Sequence, residues 1–299
     1  MSTTALQHGR PPLRERLAAR GIDGVTLLVV PAVVLMVLFF LYPFAYGFVL
    51  AFSPDKGGWA ANYVTFFSDP YLYGTIAATL RLALPVTVLS LVLAIPIAFR
   101  VRLMRRQRLL TTVLVIPITL GTVLVAEGLL NYLGPQGWFN RTLLALHLID
   151  RPVRLIHNYW GVFASLMITG FPFTFLLTLS YLSGIDPVLE KAAATLGAGP
   201  RRRFVHIFLP LLASGLVINF CLSFVQSFSV FPSAVLLGAP AGETRVISIA
   251  AYQAAFERFD YSMGSAIAII MAVVQLLVVV LVLALRQVFY RGATSGGKG

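Results

Sequence analysis

Few residues in this chain are equipped for chemistry, and they stand apart from one another. The four histidines, His8, His147, His157 and His206, are scattered, and the one cysteine, Cys221, lies inside an apolar run. Neither a cysteine metal cluster nor an intramolecular disulfide can be built from them. The run Ser295-Gly296-Gly297-Lys298-Gly299 lacks the spacing and the hydroxyl residue of a P-loop, so no nucleotide-hydrolysing site of that type is encoded. The reading is therefore of a chain with no catalytic residue, no metal and no cofactor. What remains is polar chemistry set inside apolar sequence. Arg81 and Glu127 are the charged residues well inside apolar runs, where an ionisable side chain is costly and faces a helix bundle or an aqueous cavity. Each lies nineteen residues from a basic cluster, Arg81 from Arg100 and Glu127 from Arg108. That is about 28 Å along a helix, so the two share a level. They either pair or line an outer mouth; alternatively Arg81 snorkels to headgroups and Glu127 is solvated there. Asn219, Ser223, Gln226 and Ser227 recur at helical spacing and give one helix a polar face. Such a stripe either lines a translocation path or joins helices by hydrogen bonds.

The most informative stretch is residues 186–210, DPVLEKAAATLGAGPRRRFVHIFLP, a charged island between two apolar segments. Leu189, Ala192, Ala193 and Leu196 fall at helical spacing on one face. Asp186 is placed to cap the helix and Pro187 suits its first position. Gly197 and Gly199 end it, and Pro200 prevents continuation. A second short turn, residues 201–205, leads into the next apolar run.

These residues need elements to hold them, and the composition says which. The chain has 299 residues, is 58% hydrophobic and only 11% charged, with a mean hydropathy of +0.86; a soluble domain needs a more charged surface. Several apolar runs exceed the roughly 20 residues that cross a bilayer as helix. The fold class is an all-α polytopic membrane protein with six spans, expected near 25–50, 75–99, 109–133, 158–182, 207–236 and 261–285. Residues 1–24 form a polar, basic N-terminal segment, 25–285 the membrane domain with its loop at 186–206, and 286–299 a short tail. The first apolar run is too long for a cleaved signal peptide. Six spans put both ends on one side, and that side collects sixteen Lys and Arg against six opposite. The excess makes the termini and the island cytoplasmic. It also explains the net charge of +12 by orientation and anionic lipid headgroups rather than nucleic acid. Tyr42, Trp138, Tyr159 and Trp160 suit the interfacial aromatic belts. Pro43, Pro85, Pro96, Pro117, Pro172 and Pro232 are candidate kinks.

In the island, Ala192, Ala193, Gly197, Ile207, Leu209 and Pro210 resemble the cytoplasmic motif of permease subunits of bacterial ATP-binding-cassette importers: Glu-Ala-Ala, three residues, Gly, nine residues, Ile, one residue, Leu-Pro. The motif glutamate is replaced by Lys191, with Glu190 one residue earlier. The resemblance implies the type I importer permease fold in a bacterial inner membrane and an island that docks on a separate ATPase through Glu190, Lys191, Ala192, Ala193 and Gly197. It also implies that the helix carrying Asn219, Ser223 and Gln226 lies near the central axis, which makes these residues, with Arg81 and Glu127, the candidates for the path. The implied partners are cytoplasmic ATPase subunits, a second permease subunit, identical or homologous, an extracytoplasmic solute-binding protein and membrane lipids. The segments GPQGWFN, LGAGPRRRF and FPSAVLLGAP resemble the spermidine/putrescine-type group, whose texture permeases for aminoethylphosphonate, thiamine or ferric iron share. Two other classes remain: an ion-driven secondary transporter, which usually has more spans in inverted repeats, and a membrane scaffold without transport.

Overall fold

Lipid offers backbone N–H and C=O groups no partner, so the apolar runs close their hydrogen bonds internally as helices. The structure is a computed structural model and describes residues 24–54 and 56–290. The basic segment 1–23 and the end of the tail, 291–299, lie outside the described residues. Among the described residues, six helical segments are long and apolar enough to cross a membrane: Leu28–Ala51, Pro70–Val101, Gln107–Ala145, Tyr159–Ser183, Pro200–Phe228 and Tyr261–Gln287.

In chain order, α1 (Gly24–Met36) passes through a π turn (Val37–Leu41) into α2 (Tyr42–Ala51), making the first span. A short surface helix, α3 (Ala61–Ser68), precedes α4 (Pro70–Val101), the second span. The third span, α5 (Gln107–Leu133), is followed by a small helix, α6 (Trp138–Ala145). The fourth is α7 (Tyr159–Ser183). The island forms α8 (Pro187–Thr195) and α9 (Pro200–Arg203), which runs through a π turn (Phe204–Phe208) into α10 (Leu209–Phe228). After α10 come α11 (Pro232–Leu237), then α12 (Ile247–Tyr252) with a π turn (Gln253–Glu257), and last α13 (Tyr261–Tyr290).

Several boundaries differ from the sequence expectation. The second span begins at Pro70 because Asp69 caps it, its side chain accepting from the Tyr71 N–H. The fifth stops at Phe228 rather than 236: Pro232, lacking an N–H, starts a separate helix after a break at residues 229–231. The loop expected at 238–260 carries a helical stretch at 247–257, and the last helix continues past 285 to Tyr290. In the third span the sharpest departure is at Gly121 rather than Pro117: Gly121 has φ +77° and ψ 163°, a conformation open to glycine alone.

The core sits where α4, α7 and α10 meet. Small side chains such as Ala83, Ala94 and Ala98 are buried there and let backbones approach. Thr79, Thr87, Thr169 and Thr178 turn their hydroxyls back onto carbonyls four residues earlier, so these four are satisfied inside the bundle. One cluster, with Ala98, Phe175, Leu182, Phe208 and Leu212, lies directly above the island. By contrast the first span leans on α13 through α2, and its large side chains from Leu28 to Phe44 are exposed.

Candidate coupling site and solute path

Local sequence builds α8 as expected. The Asp186 carboxylate accepts from the Val188 N–H at 2.8 Å, and Pro187 opens the helix. At the other end the Gly197 N–H donates to the Ala194 carbonyl and the Ala198 N–H to the Ala193 carbonyl, each at 3.0 Å. This is the paired Schellman arrangement, and Gly197 holds the left-handed φ of +79° that it requires.

Tertiary contacts then fix the helix in place. The Arg102 guanidinium, at the end of the second span, donates to Glu190 at 2.8 Å; Arg203, at the root of the fifth, donates to the other carboxylate oxygen at 3.2 Å. Both pairs are partly buried, so water screens them less than a surface pair. Arg102 also lies over the rings of Phe99 and Phe208, at 4.4 and 4.1 Å from their centroids, a favourable site for a desolvated cation. Phe99 in turn meets Phe204 and Phe208 edge to face. Glu190 thus ties α8 to two spans at once.

This clamp sets which side of α8 faces out. Glu190 and Ala193, three residues apart, are half-buried toward the spans, whereas Val188, Lys191, Ala192 and Thr195 are exposed. The expected face of Leu189, Ala192, Ala193 and Leu196 is therefore split: Ala193 turns inward with Glu190 and Ala192 turns outward. Val188 is 63% and Leu196 88% exposed. Gly197 is exposed at the C-terminal corner.

The polar stripe on α10 divides in a similar way. Asn219 is fully buried; its amide donates to the Thr174 carbonyl and to the Thr178 hydroxyl, each at 2.9 Å. Ser223 donates to the Asn219 amide oxygen and shares a hydrogen bond with the Thr174 hydroxyl. These two residues join the fourth and fifth spans. Gln226 is exposed and, with Thr122, Thr169, Ser227, Ser229 and Ser233, lines a cavity of about 90 Å³. The cavity lies beside two interruptions, Gly121 in the third span and the break after Phe228, where irregular backbone is tolerated because it borders a cavity.

Arg81 and Glu127 are both exposed and, among the described residues, form no ion pair. Glu127 accepts from the Asn131 amide at 3.3 Å through its carboxylate and at 3.0 Å through its carbonyl. The Arg81 carbonyl accepts from the Tyr159 hydroxyl at 2.9 Å. The structure thus joins each to a different neighbour.

One charged residue that sequence reasoning passed over is Arg245, only 4% exposed in the loop before α12. It donates to the Tyr71 carbonyl and, through two nitrogens, to the Gln253 side chain, with its guanidinium 3.6 Å from the centre of the Tyr71 ring. Burial pushes it below the ordinary arginine value, and the field of Tyr71 opposes that shift. In the sequence it was one more loop cation; nothing local marked it as a bolt between the loop and the second span.

Residues 90–294 match the family model described as "Binding-protein-dependent transport system inner membrane component". A probable sulfate transport system permease protein from Prototheca wickerhamii is 31% identical over 176 residues, 58% of this chain and 66% of that protein. The spermidine/putrescine transport system permease protein PotB of Escherichia coli (strain K12) is 30% identical over 172 residues, 57% of this chain and 62% of that one. The match thus spans just under two thirds of the length of these relatives. Among solved structures, one chain of a bacterial alginate ABC transporter, in complex with its alginate pentasaccharide-bound periplasmic protein, superposes with a TM-score of 0.80 at 22% identity. That superposition covers 93% of this chain and 98% of the other, so the two chains share a fold.

Proposed function

The chain belongs to the binding-protein-dependent transport system inner membrane component family, and from that premise we propose that it is the permease subunit of an ATP-binding-cassette importer. Its work is mechanical. It surrounds part of a solute path and passes the movement of a separate ATPase to its spans, with no covalent chemistry of its own. The observation that carries this reading is the capped island helix held by Glu190 to Arg102 and Arg203. A body that moves α8 also moves the cytoplasmic ends of the second and fifth spans. The fifth span borders the cavity that holds Gln226 and Ser229, with the third and fourth on its other sides, so closure of the ATPase pair below alters access above. An extracytoplasmic binding protein delivers solute, and a second permease subunit completes the path. The test is copurification: ATP hydrolysis is expected when a cassette subunit is bound, and its absence from every preparation containing one contradicts the proposal.

For the solute, we favour a polyamine or a related small polar molecule. The similarity to the spermidine/putrescine permease supports this. The cavity's hydroxyl and amide groups supply acceptors for ammonium groups. The similarity to a sulfate permease supports the second reading, since the same groups also donate. Screening the copurifying binding protein separates them: putrescine or spermidine should stabilise it against heat, and stabilisation by sulfate alone overturns the polyamine reading.

A further inference from the structure

The island presents an unusual charge pattern once its internal bonds are removed from consideration. Its two acids are engaged within the chain: Asp186 caps α8, and Glu190 is shared by Arg102 and Arg203. What faces outward is cationic. Lys191, Arg201 and Arg202 are exposed and, among the described residues, make no ion pair. For Lys191 the helix itself offers nothing. The positions three and four residues away are Val188, Pro187, Ala194 and Thr195, none of them a carboxylate. Lys191 stands in the middle of the outward face, with Val188, Ala192 and Thr195 around it and Leu196 at its end. The exposed Val188 and Leu196 mark this face for cover by an apolar wall. Covering it removes the Lys191 ammonium from water as well, which is costly unless an opposite charge meets it.

We propose that the groove receiving α8 is acidic at its centre: an aspartate or glutamate of the ATPase subunit lies within ion-pair distance of the Lys191 amine, flanked by apolar side chains for Val188 and Leu196. This rests on the reading that the island docks on such a subunit, and adds the sign of charge that the subunit must show. The sign restricts which ATPase the permease accepts, because a groove with a basic centre would set two cations together.

A zero-length carbodiimide, which condenses an amine with a carboxylate already in contact, tests this on the complete transporter in its native membrane. The expected product is an amide between Lys191 and an Asp or Glu of a cassette subunit, identified by sequencing the joined peptides. Lys191→Arg should keep the complex yet give no amide, because a guanidinium does not react. Lys191→Glu should lower recovery of the complex about tenfold or more, and Lys191→Gln by a smaller factor. A photoreactive probe at Val188 reports docking independently of charge. Capture of the cassette subunit at Val188 with no Lys191 amide, or with undiminished recovery for Lys191→Glu, overturns the acidic groove and leaves docking intact. An amide to phosphatidylserine shows that lipid covers the face and overturns it too. No capture from either position removes the docking reading, and this inference with it.

Discussion

Glu190 does its work inside the permease. Its carboxylate bridges Arg102 and Arg203, so its loss should free α8 from the spans rather than merely weaken a surface contact. Glu190→Gln keeps the shape and removes the charge. Backbone amides of residues 188–196 should then exchange about tenfold faster, the equivalent of about 1.4 kcal/mol of lost anchoring; unchanged exchange would show that the clamp is inert. At the other end of the helix, Gly197→Ala forces a side chain into φ +79°. The expected cost is about 1 kcal/mol, read as faster exchange at the Ala198 amide, and Gly197→Asn should be milder because asparagine tolerates that conformation. The cap and the stop were legible in the sequence, because Asp186, Pro187 and Gly197 act on their own neighbours. The clamp was not: Arg102 is 88 residues from Glu190, and only folding shows which of five clustered arginines turns toward it.

At the scale of elements, the fifth span is the instructive case. Its polar spacing was visible, but its neighbour was not. Thr174 and Thr178 on α7 take up Asn219 and Ser223, while Gln226 is left to the cavity. In a Cys221→Ala background, Gln226→Cys should react with an aqueous thiol reagent and Asn219→Cys should not. The opposite order would place the path on the α7 side of the helix. The end of this span was misjudged for a related reason. Apolar sequence continues through residues 229–231, so hydropathy carries no sign of the break, which comes from Pro232 and the turn before it. Arg245 fastens the outer loop in the same non-local manner. Arg245→Gln leaves the Tyr71 carbonyl without its donor and removes the cation from the Tyr71 ring. A loss on the order of 2 kcal/mol should lower the apparent Tm of the purified permease by several degrees; an unchanged Tm would show that the loop is held by its apolar contacts alone.

At the scale of the molecule, six spans followed from hydropathy, because it reports a physical requirement of the bilayer rather than a particular partner. The assembly around the permease is less local still. The exposed first span and the cationic outer face of α8 are surfaces that the chain's own packing leaves uncovered. The central claim is that transport is driven by ATP hydrolysed on a separate subunit and reaches the spans through the island. Solute uptake into proteoliposomes holding the full complex, with ATP trapped inside or outside and ion gradients collapsed, tests it most directly. Uptake is expected when ATP is on the cassette side and the binding protein on the other, and should fall sharply with Glu190→Gln. Uptake by the permease without a cassette subunit, sustained by an ion gradient and indifferent to ATP, would contradict the account.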